Sequence, residues 1–324
     1  MHRLARLRRF LWPVLHVGLA TAVGVAAVVS IHDAWTARGP AGLLPLLLVL
    51  PVLLLQLVAV GVAWGLLVQA VTPADVPRSV LVRSFEYGWL CRYLPGAPGG
   101  AAGKFVALRR AGYSVAGISS ALLYENLLQA GAGAAIPAAT FPFIASEWEV
   151  AGWLLPLALV GAVSATGVAV LPGATPLLFR LLHRALGVAD QASVRAPLRR
   201  ELVAPALLLV AGAALGGLAF HFVAVSVAGW GIEDAGVTLF VFGLAAFSGW
   251  LVPFAPAGAG VREAIIVSLL GPLVGPDQAL QAAIVARAAN VLADILLGSH
   301  YVFGEAHLAR SRRSTSVNVS NNRA

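Results

Sequence analysis

The chain of 324 residues holds one cysteine, one lysine, and charged residues at only 11% of its positions. The lone Cys91 excludes an internal disulfide and any metal site built on paired thiolates. So little charge excludes an ordinary soluble domain, in which about a quarter of residues are charged. The apolar runs lack the every-second-residue alternation of barrel strands, which excludes a membrane β-barrel. No His-Glu-x-x-His, Gly-x-Ser-x-Gly or Cys-x-x-Cys occurs. Gly99 to Phe105 imitates a phosphate loop, but Pro98 replaces its first glycine and Phe105 its magnesium-binding hydroxyl. No polar stretch exceeds roughly 45 residues, below the 50-residue floor of a domain that could house a separate active site. The expectation is therefore no enzyme and no cofactor.

What is present is hydrocarbon-like sequence, 59% hydrophobic. A helical crossing needs about 20 mostly apolar residues, and such windows fall near 12–30, 43–70, 118–140, 150–172, 203–229, 237–253 and 280–303, with a shorter one near 262–275. The fold class is an all-α polytopic membrane protein, a bundle of about seven or eight transmembrane helices with one or two re-entrant segments rich in Pro and Gly. Residues 1–309 read as one membrane domain, re-entrant near 84–104 and 253–275. Residues 310–324 read as a disordered basic tail.

The net charge of +8 would suggest nucleic acid in a soluble protein. Here the arginines flank hydrophobic spans, at Arg3 to Arg9, at Arg180 to Arg200 and from Arg310 onward, and so set orientation instead. The loops at 141–149, 230–236 and 274–279 carry only acids. Both termini are expected on the cytoplasmic side of a plasma membrane, with membrane lipids as partners and no nucleic acid.

Two broken segments echo one another. Gly88-Trp89-Leu90 leads to Pro95, Gly96 and a run of small residues, and Gly249-Trp250-Leu251 leads to Pro253, Pro256 and another. The match reads either as an internal repeat, of the kind that marks transporter substrate sites, or as chance among residues this common. After the second segment, Gly258 and Gly260 precede Arg262-Glu263 at a helix start, where free N–H groups and the helix dipole favour an anion. Arg262 would add a forked phosphate ligand; the plainer reading is a helix-start Glu beside a snorkelling Arg. Arg92, Tyr93 and Lys104 bracket Pro95 to Gly103 and read as nearer the surface.

Charge inside a spanning helix is expensive enough to suggest function. Glu125 stands in the third window, and Arg287, Asn290 and Asp294 share one face of the last. Structural bonding between helices is the rival account. An ion pair between Glu125 and Arg287 would satisfy both. His221 reads as a hydrogen-bonded bundle histidine.

Taken together, Tyr93-Leu94-Pro95-Gly96, the Arg109-Arg110-x-Gly-Tyr113 stretch, Glu125, Pro256-Ala-Gly-Ala-Gly-Val-Arg-Glu263 and Arg287 resemble the lysylphosphatidylglycerol synthase transmembrane region, also called the flippase-like membrane family. The resemblance covers most of residues 10–305, and Ala257 departs from it where glycine is expected. It implies a bundle that binds and moves an anionic phospholipid or a polyprenyl-phosphate-linked lipid. With the charges read above, the candidate substrate-binding residues are Gly258, Gly260, Arg262, Glu263, Glu125, Arg287, Asp294, Tyr93, Pro95 and Gly96. The alternative is a membrane subunit that anchors or presents lipid to a separate glycosyl- or aminoacyl-transferase. The family's namesakes carry a soluble transferase domain after the membrane part. This sequence ends at Ala324 without one, so lysyl transfer by this polypeptide alone is not expected.

Overall fold

In hydrocarbon every backbone N–H and C=O must find its partner within the chain, and a long apolar run can do this locally only as a helix. The computed structural model describes residues 24–37, 39, 42–73, 75–93, 99–141, 177, 184, 195–252 and 256–321, with side chains as far as Val302 except that of Pro256. Among these residues all regular structure is helical. The helices are α1 (24–37), α2 (Leu46–Val71), α3 (Arg78–Cys91), α4 (Gly99–Arg110), α5 (Val115–Thr140), α6 (Arg199–Ala228), α7 (Ala235–Leu251), α8 (Val261–Val274) and α9 (Pro276–Asn321).

Among the described residues four segments are long and apolar enough to cross a membrane: Leu46–Val71, Arg199–Ala228, Ile232–Leu251 and Pro276–Val302. These correspond to four of the expected windows. The window at 118–140 became α5, 26 residues long, whose apolar character is diluted by Glu125, Asn126 and Gln129. The window at 150–172 lies outside the described residues. So does most of 12–30. Helix α8 has 14 residues, about 21 Å of helix against a hydrocarbon core of about 30 Å, too short to cross by itself. Helix α9 keeps a helical backbone to Asn321, through the polar stretch that reads as disordered in sequence. No glycine or proline follows Gly304 to interrupt it.

The direction of each helix follows from its contacts. The Arg195 N–H donates to the Val71 carbonyl at 3.1 Å, which places the end of α2 beside the start of α6. Helix α3 begins seven residues beyond Val71, on that same side. It runs antiparallel to α9, since Glu86 meets His300 while Trp89 meets Asp294. Helix α7 runs antiparallel to α6, where His221 faces Thr238 and Gly216 faces Phe242. The α3–α4 hairpin therefore enters from the side where α2 ends, and the α7–α8 hairpin enters from the opposite side.

Two apolar clusters support these hairpins. One joins α3, α4 and α5 to the second half of α2 and the start of α6. The other joins α7, α8 and α9 to the first half of α2 and the end of α6. Helices α2 and α6 thus run through both, and their mutual packing is the most extensive in the described structure. Glycine permits a close approach of the two helices in the first hairpin: a Cβ on Gly103 would lie 2.8 Å from Cys91 Cβ and 2.8 Å from Gly88 Cα. A Gly103→Val substitution should therefore separate α3 from α4 and destabilise the protein by about 1–3 kcal/mol. Thermal unfolding in detergent would show this as a lowered midpoint, and an unshifted midpoint would contradict the packing.

Candidate functional site

Where the two hairpins meet lies a cavity of about 480 Å³. Its walls include Gln56 of α2, Gly212 of α6 and Phe242 of α7, each near the middle of its helix, so the cavity sits at mid-membrane depth. Among the described residues the charged ones lining it are Arg92, Lys104, Arg262, Glu125 and Asp294, three cations against two carboxylates.

Two of the cations are neutralised internally. Lys104 of α4 bonds the Glu125 carboxylate of α5, with both residues almost wholly buried, and its ammonium lies over the Trp64 ring at 4.5 Å. Arg92, just beyond α3, bonds Asp294 of α9 and stacks 4.2 Å from the Trp89 ring. Asp294 also accepts from Tyr93 Oη and, at 2.7 Å, from Trp89 Nε1. These pairings correct two expectations. Glu125 is held by Lys104 instead of Arg287, and Lys104, at 5% exposure, is far from the surface.

Arg262 is different. Among the described residues it has no carboxylate within ion-pair distance. Its guanidinium lies 5.0 Å from the Phe242 ring, a weaker compensation than an anion. Its stem occupies space that two glycines leave open: a Cβ on Gly249 would stand 2.6 Å from Arg262 Cγ, and one on Gly258 would stand 3.1 Å from Cδ. The first hairpin repeats this interlock, where a Cβ on Gly88 would stand 2.3 Å from Lys104 Cγ. The Gly-Trp-Leu echo thus has a spatial counterpart, since in each hairpin its glycine receives the cation of the returning helix.

The remaining expected residues divide. Gly258 lines the cavity, but Gly260 does not. The Gly260 N–H donates to Glu263 Oε2 at 2.7 Å, so the helix start is capped by its own side chain and not left open for a ligand. Arg287 also stands behind the cavity wall, 3.6 Å from Glu263 Oε1 and donating to the Ala257 carbonyl at 3.1 Å. That bond holds Ala257 at φ 50°, the left-handed conformation in which glycine, the expected residue, would be unstrained. Tyr93 reaches the site through Asp294. Pro95 and Gly96 lie outside the described residues. Sequence reasoning missed Trp89 and Gln56; the cue for Trp89 was its place in the repeated Gly-Trp-Leu, while Gln56 offered only a polar amide inside an apolar run. His221 Nδ1 lies 3.0 Å from Thr238 Oγ1, as a bundle histidine should.

An amide needs no ion to be useful here. Asn126 and Asn290 each donate to their own helix, to Leu122 O at 2.7 Å and Ala286 O at 2.8 Å. Because each carbonyl requires the Nδ2 side of the amide, the Oδ1 acceptor of each is left for other donors.

Long apolar helices enclosing a charged cavity near their midpoints define a multi-pass membrane protein with an interior polar site. The family model of the lysylphosphatidylglycerol synthase TM region matches residues 11–298, and the chain belongs to that family of membrane proteins linked to lipid metabolism. No match to a curated protein was found.

The buried pair yields a direct test. Glu125→Gln leaves the Lys104 ammonium without its counter-ion, and breaking such a pair from one side costs about 3–5 kcal/mol. Unfolding in detergent should show that loss for Glu125→Gln and a clearly smaller one for the double replacement Lys104→Met with Glu125→Leu. Equal losses would mean that the pair is not what the site depends on.

Proposed function

We propose that this protein binds the anionic headgroup of a phospholipid or polyprenyl-phosphate-linked lipid in its central cavity and carries it between leaflets. The observation that supports this most is Arg262, a permanently charged guanidinium facing a mid-depth cavity with no carboxylate within ion-pair distance among the described residues. A lone charge in a low-dielectric site is unfavourable, and a ligand phosphate would supply both the missing charge and a bidentate geometry. The free amide oxygens of Asn126 and Asn290 suit hydroxyl groups of a headgroup.

The two hairpins supply the means of movement. Each reaches the cavity from its own side of the membrane, so a shift of one hairpin against the α2–α6 pair would open the cavity to that side alone. This role needs no bond-making chemistry. Arg78, Arg109, Arg110, Arg195, Arg199 and Arg200 gather where α2 ends, and Glu233, Asp234 and Asp277 lie opposite. We read the basic side as cytoplasmic and the membrane as the plasma membrane.

The purified protein in vesicles, with a fluorescent phosphatidylglycerol analogue in one leaflet, tests this. Arg262→Ala should slow leaflet transfer about tenfold or more, and Arg262→Lys should recover part of the loss. Unchanged transfer in Arg262→Ala would overturn the assignment. Transfer that requires a second protein would favour a subunit that presents lipid to a separate transferase.

A further inference from the structure

Asp294 is held more tightly than a structural ion pair requires. Trp89 Nε1, Arg92 Nη2 and Tyr93 Oη all donate to its carboxylate, and all three belong to the tip of the first hairpin. An indole N–H, a guanidinium and a phenol converging on two oxygens form a cradle for any oxyanion, a phosphate as readily as a carboxylate. The cradle also has capacity to spare. Arg92 Nε is buried and has no hydrogen-bond partner. Arg92 lines the same cavity as Arg262 and lies near enough to act on it as a like charge. Among the described residues Arg92 has a carboxylate in ion-pair contact and Arg262 has none, and the carboxylate that Arg92 holds is attached to the protein.

We propose that the Trp89–Arg92–Tyr93 cradle is a second anion subsite, occupied in this structure by Asp294 as an internal stand-in, and that a ligand phosphate competes with Asp294 for Arg92. The inference rests on the reading of Arg262 given above. A phosphodiester offers two unesterified oxygens, one for each guanidinium. As the phosphate settles between Arg262 and Arg92, two anions contend for one cradle, and Asp294 is driven off. Because Asp294 is always at hand, it weakens ligand binding and returns Arg92 to its resting partner when the ligand departs. That is the behaviour a carrier needs, since a ligand bound too firmly is not released.

The test uses the full-length protein in nonionic detergent, titrated calorimetrically with short-chain phosphatidylglycerol. Short-chain diacylglycerol serves as the phosphate-free control, and inorganic phosphate as the lipid-free one. Asp294→Asn keeps the shape and removes the competing charge, and it should bind phosphatidylglycerol about tenfold more tightly than the wild type. Diacylglycerol should show no such gain. Adding Arg92→Gln to Asp294→Asn should abolish the gain, because the released arginine is its source. A gain with inorganic phosphate as well would mean that the subsite reads the anion itself; a gain with the lipid alone would mean that it reads the headgroup in place. Asp294→Ser is the second variant if Asn does not fold.

Phosphatidylglycerol binding that is unchanged or weaker in a variant melting like the wild type would overturn the proposal. So would a gain that survives the loss of Arg92. Binding that needs Arg262 in the wild type, with no gain in Asp294→Asn, would refute the stand-in role alone. Absence of binding in both the wild type and Asp294→Asn would remove the underlying reading as well.

Discussion

A charge removed from water must meet an opposite charge, and most of this structure's interior follows from meeting that demand at mid-membrane depth. Lys104 is acceptable in its buried position because Glu125 stands beside it, and Arg92 because Asp294 does. Each pair joins a hairpin helix to one behind it: α4 to α5 in one case, the end of α3 to α9 in the other. The ion pairs therefore do more than neutralise charge. They tie the half-membrane elements to the full-length helices that carry the bundle. Arg262 is where this scheme stops, and among the described residues the shortfall of one anion gives the cavity its chemical character.

The strain at Ala257 belongs to the same scheme. Arg287 does not face the cavity, yet its guanidinium bonds both the Ala257 carbonyl and Glu263. Those two contacts fix the turn that precedes α8, and that turn presents Gly258 and Arg262 to the cavity wall. A residue suited to right-handed backbone is held in a left-handed conformation by a partner on another helix. The turn is shaped by what holds it from behind.

Much of the fold was legible because long apolar runs leave the backbone few choices. The four segments long enough to cross and the short α8 follow from run length alone. Helix α5 was legible for a different reason, as a run whose polar residues had to be satisfied inside the bundle. Partners were less legible than elements. Glu125 and Arg287 looked complementary because each was a lone charge in an apolar window, but helix-to-helix distance cannot be read from one sequence. Lys104 was misplaced because its surroundings, Gly99 to Gly103, resemble an exposed loop; what buries it is the close approach of α3, made possible by Gly88 and Gly103. Gly260 misled in the opposite way. Its freedom suited a ligand, whereas Glu263 three residues on had already taken its N–H.

The two glycine–cation interlocks carry an implication for how such sequences can change. A side chain at position 88 or 249 would occupy the volume through which Lys104 or Arg262 reaches the cavity, so neither glycine can vary while its cation stays. Each glycine and its cation must therefore be inherited together, as one heritable unit split across two helices. A lineage that gives up the cation at 262 relieves the tightest contact at Gly249, whereas Gly88 stays bound by the Gly100 carbonyl oxygen, 2.8 Å from where its Cβ would stand.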